Sequence, residues 1–210
     1  MARKVLTVRD LESAAAGGEV VVPLDTIVTP LAQDEARARG ITIRFQESQA
    51  AAEGLPAGLA RIIAIGADHG GFDLKEELKG YLVAWGYQVL DQGTTSRDAV
   101  DYPDFAEAVA DAVVRGDASR GIVIDSAGIG SSIAANKVPG ARAALCYDRA
   151  TARNSREHND ANILSLGARL IAADVAREIL AAWLETPFAG GRHQKRVDKI
   201  RAIEKRHLKS

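Results

Sequence analysis

The sequence of 210 residues carries 27 Lys and Arg residues against 28 Asp and Glu residues, so its formal net charge is −1. This balance argues against broad electrostatic binding of nucleic acid or of an anionic membrane, and any anion must be bound locally. The single cysteine, Cys146, excludes an intramolecular disulfide and a CxxC metal site, and its apolar surroundings predict a buried structural thiol. Since the sequence contains neither a secretory h-region nor a run of roughly 20 apolar residues, we expect a cytoplasmic protein.

Residues 1–45 are predicted to form a small unit of their own. Its expected elements are a short capped helix near Asp10, a strand at Glu19–Val22, a helix at Leu31–Arg39 that Thr29 and Pro30 open, and a strand at Ile41–Phe45. Because about forty residues can hardly bury a stable core alone, this unit is expected to dock on another surface. Residues 46–60 are small and polar and are predicted to form a linker.

From Arg61 onward, short apolar runs alternate with amphipathic stretches. Strands are predicted at Ile62–Ile65, Gln88–Leu90, Ile122–Ile124, Ala143–Leu145 and Ile163–Ser165, and helices at Phe72–Trp85, Phe105–Val114, Ser132–Lys137, Ala150–Glu157 and Val175–Leu184. This order favours an α/β fold with a doubly wound five-stranded parallel sheet over residues 61–210, a Rossmann-like or flavodoxin-like three-layer sandwich with a small N-terminal appendage. Ligands of such a sheet bind outside the carboxyl ends of its strands.

The most informative stretch is Gly121–Lys137, which reads GIVIDSAGIGSSIAANK. An apolar strand leads into a turn marked by Gly128 and Gly130, and a helix is predicted to begin at the serines that follow. The free backbone N–H groups of a helix N-terminus can bind a phosphate, a carboxylate or a developing oxyanion. The loop lacks the Gly-Lys-Ser/Thr of a P-loop, and it has an unexpected carboxylate, Asp125, at its mouth.

Three other loops carry side chains suited to chemistry. Asp68 and His69 follow the first strand and precede two glycines, so they can supply an acid/base group and a hydrogen-bond donor for a phosphate. Alternatively, Asp68 only caps the next helix. Tyr102 stands at a helix start and could contact a sugar or be purely structural. His158 and Asn159 close a helix, where His158 is either a second acid/base group or part of a solvated helix end.

Arg169, Arg192 and Arg196 are suited to bidentate recognition of a phosphate, although a basic run is usually only a solvated surface. No zinc-type ligand set, no serine–histidine–acid spacing and no redox thiol pair competes with these residues. Considered together, the loops favour proton transfer on a small phosphorylated substrate, with no metal and no cofactor.

Several longer motifs follow one another in the order GADHGGFDLK (66–75), DYPDFA (101–106), AGIGSSIAANKVPGARAAL (127–145), SREHNDANILSLGAR (155–169) and GGRHQKRVDKI (190–200). Through these motifs, residues from about Ile62 to Lys205 resemble the ribose-5-phosphate isomerase B family, which includes the subunits of galactose-6-phosphate isomerase. The resemblance implies an aldose–ketose isomerase that converts ribose 5-phosphate to ribulose 5-phosphate through a cis-enediolate, without a metal or cofactor. It also implies a homodimer or a dimer of dimers whose active sites are shared between two subunits.

The same resemblance assigns roles to individual residues. Asp68 would be catalytic and, with His69, would contact the sugar ring and the phosphate, while Tyr102 would line the pocket. His158 would assist ring opening beside Asn159. The enediolate oxygens would be stabilised by the loop residues Ser126, Gly128, Ile129, Gly130, Ser131 and Ser132. The phosphate would be held by Arg169, Arg192 and Arg196, which together with His158 would come from the partner subunit.

The sequence departs from the family pattern at the position of the base. One branch of the family has a catalytic cysteine at the position of Asp125, another has a glutamate at the position of Ser131, and Ala127 replaces a common threonine or serine. Asp125 can be the base, because a carboxylate reaches about as far as a cysteine and can abstract a proton next to a carbonyl. Alternatively, proton abstraction is lost and the chain is a catalytically silent sugar-phosphate-binding or assembly protein. We expect isomerase activity with Asp125 as the base.

Residues Val20–Ile43 are weakly similar to short leading segments of some proteins encoded with bacterial microcompartments. The similarity implies that residues 1–45 serve assembly or targeting through association with a microcompartment. The alternative is a docking arm that extends the dimer interface.

Overall fold

The computed structural model describes residues 5–11, 14–23, 26–46 and 61–208. The chain divides into two compact units, Met1–Ala51 and Ala52–Ser210, each of which is described by itself. Most of the predicted linker, residues 47–60, lies outside the described residues. Across the described ranges, no helix combines the length and the apolarity needed to cross a membrane.

In its described residues, the N-terminal unit contains two small parallel sheets and two helices. Its elements are β1 (Val5–Leu6), α1 (Val8–Leu11), β2 (Glu19–Pro23), β3 (Ile27–Val28), α2 (Pro30–Ala38) and β4 (Thr42–Gln46). β1 pairs with β3, and β2 pairs with β4. The buried core consists of Leu6, Leu11, Val22, Ala32, Ala36 and Ile41. The predicted helices and longer strands are confirmed, whereas β1 and β3 are too short to show a periodic pattern in the sequence.

The larger unit alternates strands and helices as predicted. Its elements are β5 (Ile62–Ala67), α3 (Phe72–Ala84), β6 (Gln88–Asp91), α4 (Tyr102–Arg115), β7 (Arg120–Asp125), α5 (Ile129–Ala135), β8 (Ala143–Leu145), α6 (Arg149–Asn159), β9 (Ile163–Gly167), α7 (Ala173–Glu185) and α8 (Gln194–His207). The five strands form one parallel sheet in the order β6-β5-β7-β9-β8. The predicted doubly wound sheet is confirmed.

Helices cover both faces of this sheet because the side chains of its buried strands alternate between two cores. Along β5, Ile63 and Ile65 pack in one cluster with Trp183 of α7. Ala64, between them in sequence, belongs to the opposite cluster together with Val109 of α4. The result is a three-layer sandwich in which the central strands are nearly fully buried, as is typical of parallel sheets.

The direction of the strands decides where the functional loops lie. The loops after β5, β7 and β9 meet at one edge of the sheet, because parallel strands all end there. Helix α6 begins at this edge after β8 and runs back across the sheet. Its last residues, His158 and Asn159, therefore lie at the opposite edge, just before β9 begins at Ile163.

Two further features of the larger unit are the environment of Cys146 and the exposed side of the last helix. Cys146 is buried, and burial raises the pKa of its thiol, so the predicted structural role is confirmed. Helix α8 buries Val197 but leaves Ile200 and Ile203 exposed, at 44% and 50%. An open groove of about 1090 Å³ lies between β8, α6 and this apolar side of α8.

Candidate active site

The loop after β5 places Asp68 against the neighbouring loop after β7. Asp68 is buried, and its Oδ1 accepts a hydrogen bond of 3.0 Å from the amide of Gly71. A Cβ atom on Gly70 would collide with the hydroxyl of Ser126 and would lie 3.2 Å from Oδ1 of Asp68. Glycine at position 70 thus allows the two loops to approach each other closely. Asp68 stabilises the turn into α3, as the structural alternative predicts, and it also lies beside Ser126.

His69 and Tyr102 border the same edge of the sheet. Nδ1 of His69 lies 3.2 Å from both the amide nitrogen and the carbonyl oxygen of Val100, so this contact holds the ring in either tautomer. Tyr102 opens α4, and its ring lies against Gly130, where an added Cβ would collide with the ring atoms. The structure therefore brings both residues to the glycine loop after β7.

Asp125 ends β7 with its side chain turned into this loop, and the residue is only 5% exposed. Its Oδ1 accepts hydrogen bonds from the amides of Ala127, at 2.7 Å, and of Gly128. Its Oδ2 accepts one from the amide of Ser131, at 2.8 Å. The carboxylate of Asp125 thus occupies backbone donors of the loop, which explains why an acid is tolerated in an anion-binding turn.

This arrangement corrects the expectation that the whole backbone of residues 128–132 is open to an enediolate. The amides of Gly128 and Ser131 are used by Asp125, and the amide of Ser132 donates to the carbonyl of Gly128 at 3.2 Å. Within the part of the chain that the structure describes, the amides of Ile129 and Gly130 have no acceptor. They are the first two residues of α5, whose amides have no intrahelical partner.

Arg169 follows β9 and joins the same edge through its backbone, whereas His158 lies at the opposite edge. This placement corrects the expectation that Arg169 and His158 enter one site from the same partner subunit. Its amide donates to the carbonyl of Ser126 at 3.0 Å, and the amide of Ala168 donates to the carbonyl of Asp125 at 2.8 Å. The guanidinium of Arg169 is exposed and makes no ion pair with the described residues. We call the residues at this edge the carboxyl-end group: Asp68, His69, Tyr102, Asp125, Ser126, Gly128, Ile129, Gly130, Ser131, Ser132 and Arg169.

His158 lies in a different cluster, at the amino-end edge of the sheet. Its imidazole stacks on that of His193, with ring centroids 4.2 Å apart and an interplanar angle of 5°. Nδ2 of Asn154 lies 2.8 Å from Nδ1 of His158, and Nε2 of His158 lies 3.7 Å from a carboxylate oxygen of Glu157. Nε of Arg192 donates a hydrogen bond of 3.3 Å to Nε2 of His193.

The turn between α7 and α8 brings His193 to this cluster. Gly190 and Gly191 have φ angles of 61° and 52°, a left-handed conformation that side chains with a Cβ adopt at a cost. Burial lowers the pKa of His193, and the positive charges of His158, Arg192 and Arg196 lower it further. We call these residues the amino-end group: His158, Asn159, Arg192, His193 and Arg196.

His193 is the one member of the amino-end group that the sequence analysis did not select. Its position between Arg192 and Arg196 in the GGRHQKRVDKI motif was a usable signal. The stacking partner could not be deduced from this signal, because the two imidazoles are 35 residues apart in sequence. Arg196 and Arg192 are exposed, so their guanidinium groups are accessible to an anion.

The two groups lie at opposite edges of one sheet. β9 separates them with the five residues Ile163–Gly167, which at a rise of about 3.3 Å per residue is a distance of roughly 16 Å. A sugar phosphate is too short to contact both groups of one protomer at once. Among the described residues, no cluster of three or more His, Cys, Asp or Glu side chains could hold a metal ion.

Comparison with known proteins connects this architecture to a family. A sequence profile of the family described as Ribose/Galactose Isomerase matches residues 63–200. Ribose-5-phosphate isomerase B of Escherichia coli (strain K12) is 48% identical over 144 residues, which cover 69% of this chain and 97% of the relative. D-erythrulose-4-phosphate isomerase of Pectobacterium atrosepticum is 43% identical over 140 residues, which cover 66% of this chain and 91% of the relative.

A solved structure gives the same assignment. Ribose-5-phosphate isomerase B of Clostridium thermocellum superposes with a TM-score of 0.69 at 55% sequence identity, over 70% of this chain and 99% of that one. The family profile includes every residue of the two groups and none of the N-terminal unit. The chain belongs to the ribose/galactose isomerase family, a family of sugar-phosphate isomerases.

Proposed function

We propose that this protein interconverts an aldose phosphate and a ketose phosphate, with ribose 5-phosphate and ribulose 5-phosphate as its pair. The observation that carries the proposal is the chemical complementarity of the two groups. The carboxyl-end group offers carboxylates, hydroxyls and free amides, and the amino-end group offers an imidazole pair and exposed arginines. The relatives named for ribose 5-phosphate and for erythrulose 4-phosphate support a substrate of four or five carbons.

The amino-end group is assigned to binding and ring opening. Arg192 and Arg196 hold the phosphate dianion through charge-assisted hydrogen bonds. His158 donates a proton to the ring oxygen of the furanose while the C1–O4 bond breaks and the C1 hydroxyl releases its proton to water, which yields the open-chain aldose. Nε2 is the atom of His158 available for this transfer, because Asn154 lies against Nδ1.

The carboxyl-end group is assigned to proton transfer between C2 and C1. Asp125 takes the C2 proton on Oδ2, which accepts a single amide bond and therefore keeps a lone pair for the proton. The electron pair moves to O1, the carbonyl oxygen, and forms the enediolate. A proton then passes from the hydroxyl O2 to O1, and return of the proton from Asp125 to C1 gives the ketose. The free amides of Ile129 and Gly130, with the hydroxyls of Ser126 and Ser132, stabilise the enediolate oxygens, while Asp68, His69 and Tyr102 orient the sugar.

The active site requires a second copy of the chain, because one protomer holds its two groups at opposite edges of the sheet. In a homodimer, or in a dimer of dimers, the carboxyl-end group of one protomer meets the amino-end group of its partner. The groove beside β8 and the exposed Ile200, Ile203 and Leu208 offer an apolar surface for this association. Residues 1–45 either extend the dimer interface or mediate association with a microcompartment.

A second function is favoured by one specific observation. The carboxylate of Asp125 is held by three amides, which both restrains it and uses donors that an enediolate could otherwise employ. A protein with this loop could be a catalytically silent protein that binds sugar phosphates or takes part in a larger assembly.

Incubation with ribose 5-phosphate in deuterated water separates the two functions. An isomerase produces ribulose 5-phosphate and incorporates deuterium at C2 of the recovered aldose, both of which NMR detects. The absence of ketose and of exchange across a panel of four- to six-carbon sugar phosphates would refute the isomerase. If members of the same panel still raise the melting temperature of the protein, its function is to bind sugar phosphates without turning them over.

A further inference from the structure

We propose that His193 is a positioning residue for His158: it stacks on the imidazole of His158, fixes the orientation of that ring, and itself stays neutral beside Arg192. The inference rests on the proposed function only for its catalytic consequence. The stack itself is a property of one protomer and is independent of turnover.

Backbone hydrogen bonds hold His193 in place at the start of α8. The amide of His193 donates to the carbonyl of Gly190 at 2.9 Å, and its own carbonyl accepts from the amides of Arg196 and Val197 at 2.9 and 3.1 Å. His193 is 6% exposed, and Val197 one turn further is fully buried. The ring of His193 is therefore a fixed flat surface, against which the more exposed ring of His158 lies nearly parallel.

The hydrogen bond from Arg192 decides the protonation of His193. Because Nε of Arg192 donates to Nε2 of His193, that nitrogen carries a lone pair, and a neutral ring carries its hydrogen on Nδ1. Nδ1 is buried, and it has no hydrogen-bond partner among the residues that the structure describes. A second proton would therefore have to sit on Nε2, facing the guanidinium of Arg192.

The charges around the two imidazoles also disfavour a second proton on His193. His193 faces His158 and Glu157 from α6, and Arg192 and Arg196 from its own segment. Burial and the three cationic neighbours lower the pKa of His193, and only Glu157 opposes them. The side chain of His158 is more exposed, and its Nε2 lies 3.7 Å from the carboxylate of Glu157.

This arrangement has a consequence that depends on the substrate. An imidazole held in a fixed orientation is a general acid already in position for opening a furanose ring. Erythrose 4-phosphate cannot form that ring, since its O4 carries the phosphate, and its isomerisation needs no ring opening. Loss of His193 is expected to slow turnover of ribose 5-phosphate about tenfold and to leave that of erythrose 4-phosphate within about twofold.

The first test follows the imidazoles of the full-length protein by two-bond ¹H–¹⁵N NMR over a pH series. The chain has only four histidines, so single variants such as His207→Gln assign the signals. We expect neutral His193 to be the Nδ1–H tautomer and to take up a second proton only at a lower pH than a free histidine does. Protonation of His193 at the pH of a free histidine or above, or an Nε2–H tautomer of His193, would overturn the proposal even if the protein isomerises no sugar phosphate.

The second test compares His193→Phe, which keeps a flat ring but cannot take a proton, with His193→Ala, which removes the ring. His193→Phe should retain at least half of the activity on ribose 5-phosphate, and His193→Ala should show the tenfold loss. The matched control is Lys195→Ala, an exposed neighbour on the same helix turn. An equal loss on both substrates, or an Ala variant as active as the parent, would contradict a positioning role.

Discussion

The carboxyl-end group and the amino-end group are held in place by different kinds of contact. Hydrogen bonds donated by backbone amides fix the carboxyl-end group: those to the carboxylate of Asp125 lie within the loop after β7, and the one from Arg169 to Ser126 joins two loops. Side-chain contacts on a two-glycine turn fix the amino-end group, chiefly the stack of His158 and His193. In the proposed function, proton abstraction belongs to the edge that backbone hydrogen bonds hold, and phosphate binding and ring opening belong to the edge that side-chain contacts hold.

The largest expected effect comes from breaking the carboxyl-end group at Asp125. Asp125→Asn removes the base of the proposed mechanism, so turnover of ribose 5-phosphate should fall by about 100-fold or more, measured as ketose formation. The new amide group would also face backbone donors, which should cost about 1–3 kcal/mol of unfolding free energy.

A matched control for Asp125→Asn is Asp148→Asn. Asp148 also accepts a backbone amide, that of Thr151 at 2.7 Å, but it caps α6 outside both groups. This variant should lose stability and keep its activity. An Asp125→Asn protein as active as Asp148→Asn would show that Asp125 is not the base.

The next largest effect is expected from the amino-end group at Arg196. Removing one charge-assisted hydrogen bond to phosphate is worth about 1.5–3 kcal/mol, so Arg196→Ala should raise KM for ribose 5-phosphate about 10- to 100-fold. Steady-state kinetics should show little change in kcat. The neighbouring Lys199→Ala, exposed on the same helix, should leave KM unchanged. A fall in kcat with an unchanged KM would assign Arg196 to chemistry instead of binding.

A smaller effect tests the glycine turn beneath the amino-end group. Gly191 has a φ angle of 52° and open space around its Cα, so Gly191→Ala should cost only the conformational penalty, about 1–2 kcal/mol. Gly80 of α3 also has open space but no positive φ, and Gly80→Ala should stabilise the protein by about 0.5–1 kcal/mol. Chemical denaturation measures both. Stabilisation by both variants would mean that the turn does not require a left-handed residue.

The smallest effect is a pH dependence of stability. Because the pKa of His193 is lower in the folded than in the unfolded protein, the unfolded state binds its proton first as the pH falls. This contribution to stability is complete above the unfolded value of about 6.5 and is lost progressively at more acidic pH. Chemical denaturation at pH 7 and pH 5 should therefore show that the unfolding free energy of His193→Phe falls less between these pH values than that of the parent. An equal fall in both proteins would exclude His193 as the source of the pH dependence.

The sequence predicts the fold of the larger unit well, because each strand and helix has its own local signal. Residues Ile62–Ile65 and Ile122–Ile124 are apolar runs of strand length, and both lie in central strands of the sheet. The two-residue strands β1 and β3 of the N-terminal unit have no such signal, since their pairing depends on contacts distant in sequence.

The site residues can be predicted by type, but their contacts cannot. The sequence indicates that Asp125 sits at the mouth of an anion-binding loop. The carboxylate of Asp125 accepts hydrogen bonds from the amides of Gly128 and Ser131. These contacts depend on the three-dimensional path of the loop, which the sequence does not reveal. The stack of His158 on His193 likewise depends on how two helix ends and a glycine turn meet.

Complementation between subunits tests most directly whether two protomers complete one site. Asp125→Asn lacks the base of the carboxyl-end group, and the double variant Arg192→Ala, Arg196→Ala lacks the phosphate site of the amino-end group. A mixed dimer of these two proteins contains one site with both groups intact. Co-refolding at equal concentrations should therefore restore about a quarter of the parent activity, measured at low ribose 5-phosphate concentration. A mixture no more active than the average of the two separate variants would contradict a shared site.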